Sequence, residues 1–189
     1  TGPEDAEFVW IIDPLDGTSN FMRGIPHYCI SMACVQNDKL EHAIILDPAR
    51  QEEFTASRGR GAQLNGRRIR VSDRADLKEC LIGTGTPFLG HSEDRMDWYL
   101  KGLGEVAGNS MGIRRAGAAA LDLAYVAAGR LDGFWEAGLK PWDLAAGTLL
   151  VRESGGLVTD FRGSDNILES GDIICANPRL LKQLAAAIR

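Results

Sequence analysis

Trp10–Phe21 reads WIIDPLDGTSNF, a hydrophobic run that ends in two carboxylates, Asp13 and Asp16, three residues apart. Pro14 biases Asp13 toward an extended backbone, so the strand is expected to continue up to the acid and then turn. Two carboxylates at the end of a buried strand repel one another and are costly to bury unless a cation neutralises them. With the carbonyl of Leu15 between them they form an all-oxygen donor set, which suits Mg²⁺ or Mn²⁺. Gly17, Thr18 and Ser19 follow and open a predicted helix, whose first N–H groups and hydroxyls make an anion seat. Read alone, the same letters also describe a turn with an aspartate cap, because Asp, Pro and Gly are the usual turn residues.

A second stretch, PWDLAAGTLLVRESGG (Pro141–Gly156), bears on that choice. Asp143 stands at the start of a helix whose Ala145, Ala146 and Gly147 permit close approach by another backbone. Its carboxylate is suited either to capping the helix or to reaching a metal.

The rest of the chain sets the frame. Its 189 residues, 44% hydrophobic and 25% charged, suffice for one domain or two small ones. A net charge of −5 gives no bulk attraction to nucleic acid. No apolar run is long enough to span a membrane, and the polar, acidic opening TGPEDAEF is unlike a signal peptide. Cys29, Cys34, Cys80 and Cys175 have no metal-binding spacing and read as reduced, buried thiols of a cytoplasmic protein.

Strands are expected over 8–12, 28–35, 41–47 and 80–85, with short paired strands in 52–72 turned by Asn65-Gly66. Beyond them, helices are expected over 93–106, 118–129, 143–154 and from Pro178 onward, with extended segments at 112–117, 132–138, 156–161 and 172–177. The interleaving indicates a mixed α and β fold, and 86–92 is the expected seam between two halves. Arg58, Arg60, Arg67, Arg68 and Arg70 read as solvated hairpin arginines, His27 as a satisfied structural histidine, and Trp142 as packing between the halves.

Taken together, DPLDGTSNF, RGIPHYCISMA, GRGAQLNG and RRAGAAALDLAYVAAGRLDGFWEAGLKPWD resemble the inositol monophosphatase family along the whole chain, and look closest to its bacterial inositol-1-monophosphatases. The resemblance implies a layered α-β-α-β sandwich of the sugar phosphatase type, with a first half over 1–90 carrying DPLDGT and a second over 91–189 carrying WD. It implies Asp13, the Leu15 carbonyl, Asp16 and Asp143 as Mg²⁺ ligands (Mn²⁺ as the alternative) and Gly17 and Thr18 as the phosphate seat. Thr18 would also orient the attacking water. Gly117, Ala118 and Ala119 would meet the inositol ring, and Glu136 would bind a substrate hydroxyl. Without the resemblance, Glu136 reads as an ordinary strand-end charge.

The implied activity is lithium-sensitive, Mg²⁺-dependent hydrolysis of inositol monophosphate or a related polyol phosphate by metal-activated water, in a cytoplasmic homodimer. Histidinol phosphate, fructose 1,6-bisphosphate and phosphoadenosine phosphate are the alternative substrates. A non-catalytic role in transcription complexes is the rival from another class. Family chains begin well upstream of Thr1, so the chain is expected to be N-terminally shortened. The upstream part supplies two helices and a metal-binding glutamate, and apolar surface is expected to be bare without it. Glu4, Asp5 and Glu7 match the loop after that glutamate rather than the ligand itself.

Overall fold

A computed structural model describes residues 6–87 and 93–189. Glu4 and Asp5, and most of the expected seam at 86–92, lie outside the described residues. The chain begins with β1 (Phe8–Asp16), which runs through Pro14 to Asp16 instead of ending at Ile12. A register shift between Asp13 and Asp16 accommodates the proline. One helical turn, α1 (Thr18–Met22), follows. Five strands then form a meander: β2 (Cys29–Gln36), β3 (Lys39–Asp47), β4 (Glu52–Ser57), β5 (Gly61–Leu64) and β6 (Arg67–Ile69). With β1 they make a six-stranded antiparallel sheet in sequence order. Asn65 and Gly66 have φ of 48° and 75°, the positive values that a tight hairpin requires.

The remaining elements are β7 (Leu81–Thr84), α2 (Met96–Asn109), β8 (Gly112–Arg114), α3 (Ala119–Ala127), β9 (Gly133–Glu136), α4 (Pro141–Glu153), β10 (Leu157–Thr159), α5 (Ile167–Ser170), β11 (Ile173–Ala176) and α6 (Leu181–Ala187). Their strands form a five-stranded mixed sheet in the order β10-β11-β9-β7-β8, with β7 parallel to both β8 and β9. Two boundaries differ from expectation. Helix α4 starts at Pro141, so Asp143 occupies its third position. Helix α6 starts three residues after Pro178, because the Asn177 side chain accepts the N–H groups of Arg179 and Leu180 and holds a turn there. The one-turn α5 was not anticipated.

Four layers result: the six-stranded sheet, the pair α3 and α4, the five-stranded sheet, and the pair α2 and α6. One core joins the inner face of the first sheet (Ala33, Ile45, Phe54) to α3 and α4 (Leu121, Leu123, Leu150) and on to Phe134 and Cys175. A second core joins Ile82, Trp135 and Ile174 to Tyr99 and Val106 of α2 and Leu184 of α6. The central helices lie close because α4 presents Gly147 to Leu123. A Cβ on Gly147 would come within 2.5 Å of the Leu123 side chain. All four cysteines are buried free thiols, and no described helix is long and apolar enough to cross a membrane.

Candidate active site

Strand β1 delivers Asp13 and Asp16 to one end of the six-stranded sheet, and the start of α4 brings Asp143 to the same place. One oxygen from each of the three carboxylates lies within 4.8 Å of the others. The local backbone explains the arrangement. Asp13 Oδ1 accepts the N–H of Leu15 at 2.9 Å, closing the turn over Pro14. The Leu15 carbonyl accepts the Thr18 hydroxyl at 2.9 Å, which ties the turn to α1. Asp16 Oδ2 accepts the N–H of Ala120 at 2.9 Å, from the first turn of α3, and the Cys29 thiol faces the same oxygen at 3.8 Å. Asp143 Oδ2 accepts the N–H of Lys140 at 2.8 Å. Asp143 thus supports the start of its helix while its carboxylate also lies in the acid cluster.

The electrostatics are those of mutually repelling carboxylates. Burial pushes Asp16 up to about 7; the Ala120 N–H opposes this, and the charges of Asp143 and Asp13 add to it. The donors are hard oxygens carrying three formal negative charges, and this set fits a divalent Mg²⁺ or Mn²⁺.

The acids open onto a cavity of about 480 Å³. Gly17, Thr18 and Ser19 line one side, Gly117, Ala118 and Ala119 another, and Glu136 a third. Gly17 has φ 81°, and a Cβ there would meet the His27 carbonyl at 2.9 Å, so the turn into α1 requires glycine. Glu136 closes β9 and is half-buried, not a solvated strand end. Burial raises it to about 8, opposed by Arg115 and helped by Asp16 and Asp143.

Several cavity residues escaped the sequence reading. Asn20 Nδ2 donates to the carbonyls of His27 (2.8 Å) and Ala116 (2.9 Å), locking α1 to the loop before α3. Arg115, Gly85, Thr86 and Lys140 also line the cavity. Asp122 lies on its floor, 2% exposed, with Oδ1 lacking a hydrogen-bond partner among the described residues. Only the doublet Arg114-Arg115 was conspicuous in the sequence; the others become recognisable only through partners far along the chain.

Three further readings are settled by position. His27 is buried, but its Nε2 has no partner among the described residues, so it is not the fully satisfied histidine expected. Trp142 sits on the cavity wall at 46% exposure rather than sealed between halves. Glu7 bonds Gln36 near the far end of β1 and is not part of the acid cluster.

Comparison with known proteins places this arrangement. The chain matches the inositol monophosphatase family over residues 2–189. It belongs to that family. A protein named Nus factor SuhB from Pseudomonas aeruginosa is 58% identical over 186 residues, covering 98% of this chain and 69% of that protein. Among solved structures, SuhB from Bartonella henselae superposes with a TM-score of 0.94 at 47% identity, covering 98% of this chain and 70% of that one. The inositol monophosphatase of Anabaena gives 0.92 at 37% identity, covering 99% and 73%. The layered α and β fold is thus that of the inositol monophosphatases, and membership supports phosphatase chemistry in general.

Proposed function

We propose that this protein is a Mg²⁺-dependent phosphomonoesterase acting on inositol monophosphate or a closely related polyol phosphate. The observation that carries the reading is the convergence of Asp13, Asp16 and Asp143 on one cavity beside the Gly17–Thr18 turn. The three carboxylates, with the Leu15 carbonyl, would hold the ion. When bound, such an ion acts as a Lewis acid toward a phosphoryl oxygen and makes nearby water more acidic.

The protein's own groups do the rest. Backbone N–H groups from Gly17 onward, at the opening of α1, receive phosphate oxygens. Thr18 Oγ1 donates its hydrogen bond to the Leu15 carbonyl and so keeps lone pairs to accept a hydrogen bond from, and orient, a water held beside it. Glu136 accepts a hydroxyl of the polyol, and Gly117, Ala118 and Ala119 present a wall without bulk against which a ring can lie. Partial burial of Glu136 lowers the local dielectric and strengthens that contact.

Asp16→Asn and Asp143→Asn should each reduce Mg²⁺-dependent phosphate release from inositol 1-phosphate by at least ~10³-fold, since each removes a charged group from the reacting centre. Turnover retained in both variants would refute the assignment. Histidinol phosphate, fructose 1,6-bisphosphate and phosphoadenosine phosphate belong in the same substrate panel as competitors. A second reading rests on the name Nus factor carried by the 58%-identical relative: a non-catalytic part in transcription complexes. Asp16→Asn protein that still captures a transcription partner from lysate supports it; no capture counts against it.

A further inference from the structure

Glu136 ends β9, and Gly85 is the first residue beyond β7. The two strands are parallel neighbours in register, with Thr84 beside Trp135, so Gly85 comes next to Glu136. A Cβ built on Gly85 would fall 1.8 Å from both Cδ and Oε1 of Glu136, and 2.2 Å from Oε2. The carboxylate therefore occupies the space that any side chain at position 85 would claim. Gly85 does not have a left-handed φ, so backbone conformation does not demand glycine here. The space above its Cα does.

The surrounding contacts hold this loop in place. Thr84 Oγ1 donates to the Gly85 carbonyl at 2.9 Å. Arg115 Nε donates to Thr86 Oγ1 at 3.1 Å, so the cation whose charge acts on Glu136 is anchored on the same loop. The three atoms nearest such a Cβ all belong to the far end of one flexible side chain, not to backbone. The contact is thus cheap to relieve by swinging the carboxylate away, and what is lost is its aim.

We propose that Gly85 is a specificity-determining position, a gap that fixes Glu136 as the acceptor for the polyol of the substrate. The proposal rests on the polyol-phosphatase reading above. It separates selectivity from stability: an alanine at 85 moves Glu136 and leaves the sheet in place.

The test uses the whole protein with Mg²⁺ and two substrates, inositol 1-phosphate and p-nitrophenyl phosphate, which has no hydroxyl for Glu136 to meet. Gly85→Ala should lower the ratio of kcat/KM for the first over the second by about ten- to a hundredfold, the scale of leaving a buried hydrogen-bonding group unpaired. Most of the loss should appear in KM for inositol 1-phosphate. Gly85→Ala combined with Glu136→Gln should lose no more selectivity than Glu136→Gln alone, because both act through one carboxylate. Equal losses on both substrates, no loss on either, or a Gly85→Ala protein that fails to fold would each overturn the proposal. If the unsubstituted protein released phosphate from neither substrate, the phosphatase reading would fail by itself. A crystal structure of Gly85→Ala would then decide the present proposal: a displaced Glu136 carboxylate supports it, an unmoved one overturns it.

Discussion

The two sheets answer the same problem, how to bury apolar strands, in opposite ways. In the five-stranded sheet, Phe134, Trp135, Ile173, Ile174, Cys175 and Ala176 are all sealed, because α3 covers one face and α2 with α6 the other. In the six-stranded sheet only the inner face is covered. Trp10, Ile12 and Ile30 point outward and stay 56%, 47% and 37% exposed, although Phe8–Ile12 is as apolar as β11. A continuous apolar run thus signals a strand without saying how many of its faces are covered. The candidate site lies where the half-covered sheet meets the central helices, so its carboxylates sit at an opening while their supports reach into the core.

The largest expected effect contrasts one tryptophan from each sheet. Trp135→Ala should cost about 3–5 kcal/mol in urea unfolding, as for a large core aromatic, whereas Trp10→Ala should cost less than about 1 kcal/mol. Equal costs would break the contrast by showing that the outer face of β1 is covered in solution. Next in size is Gly147→Ala at the contact of the two central helices. Overpacking against Leu123 should cost about 1–3 kcal/mol, read from the urea midpoint.

A smaller effect concerns acid. Burial, with the charge of Arg50, lowers the pKa of His27 below its ordinary 6.5. The unfolded chain then binds the proton more readily than the folded one. Stability contributed by the neutral ring is complete at pH above 6.5 and is lost as the pH falls through that value toward the lowered folded pKa. His27→Leu should therefore flatten the decline in melting temperature between pH 7 and pH 5; an unchanged slope would assign that decline to other groups. The smallest expected change in stability, within about 0.5 kcal/mol, follows from placing Thr at Trp10, Ile12 and Ile30 together. If bare apolar surface on β1 and β2 promotes self-association, the same triple substitution should reduce it in sedimentation velocity. Unaltered sedimentation would show the patch to be inert.

Much of the molecule was legible in its letters, and the exceptions share a cause. Asn65-Gly66 marked its hairpin because the turn needs two positive φ values, a local demand. Asp13 and Asp16 stood out because acids at the end of an apolar run are costly, whereas Asp143 read equally as a helix cap until the resemblance singled it out. The start of α6 was misplaced because Pro178 suits the first turn of a helix, while the Asn177 side chain holds the chain in a different turn. Asn20 and Gly85 were overlooked because each draws its meaning from a distant partner. An asparagine in a polar turn says nothing about a carbonyl at Ala116 until the fold brings them together. The letters of β1 by themselves do not tell its exposure; bare apolar surface was expected only from the resemblance, because what covers a strand is decided elsewhere in the chain.

The Asp16–Ala120 contact links residues 104 positions apart, and Asn20 reaches Ala116 across 96. The meander beside them pairs each strand with its sequence neighbour. Short loops close at low entropic cost and long ones at a higher cost, so the hairpins of the meander can form before the second half of the chain has found its place. The carboxylates are therefore carried early on a strand that folds locally, and acquire their orienting N–H only when α3 docks. Kinetically, competence of the site is a late event, and a chain halted before that docking would hold the acids of the motif without the geometry that makes them useful.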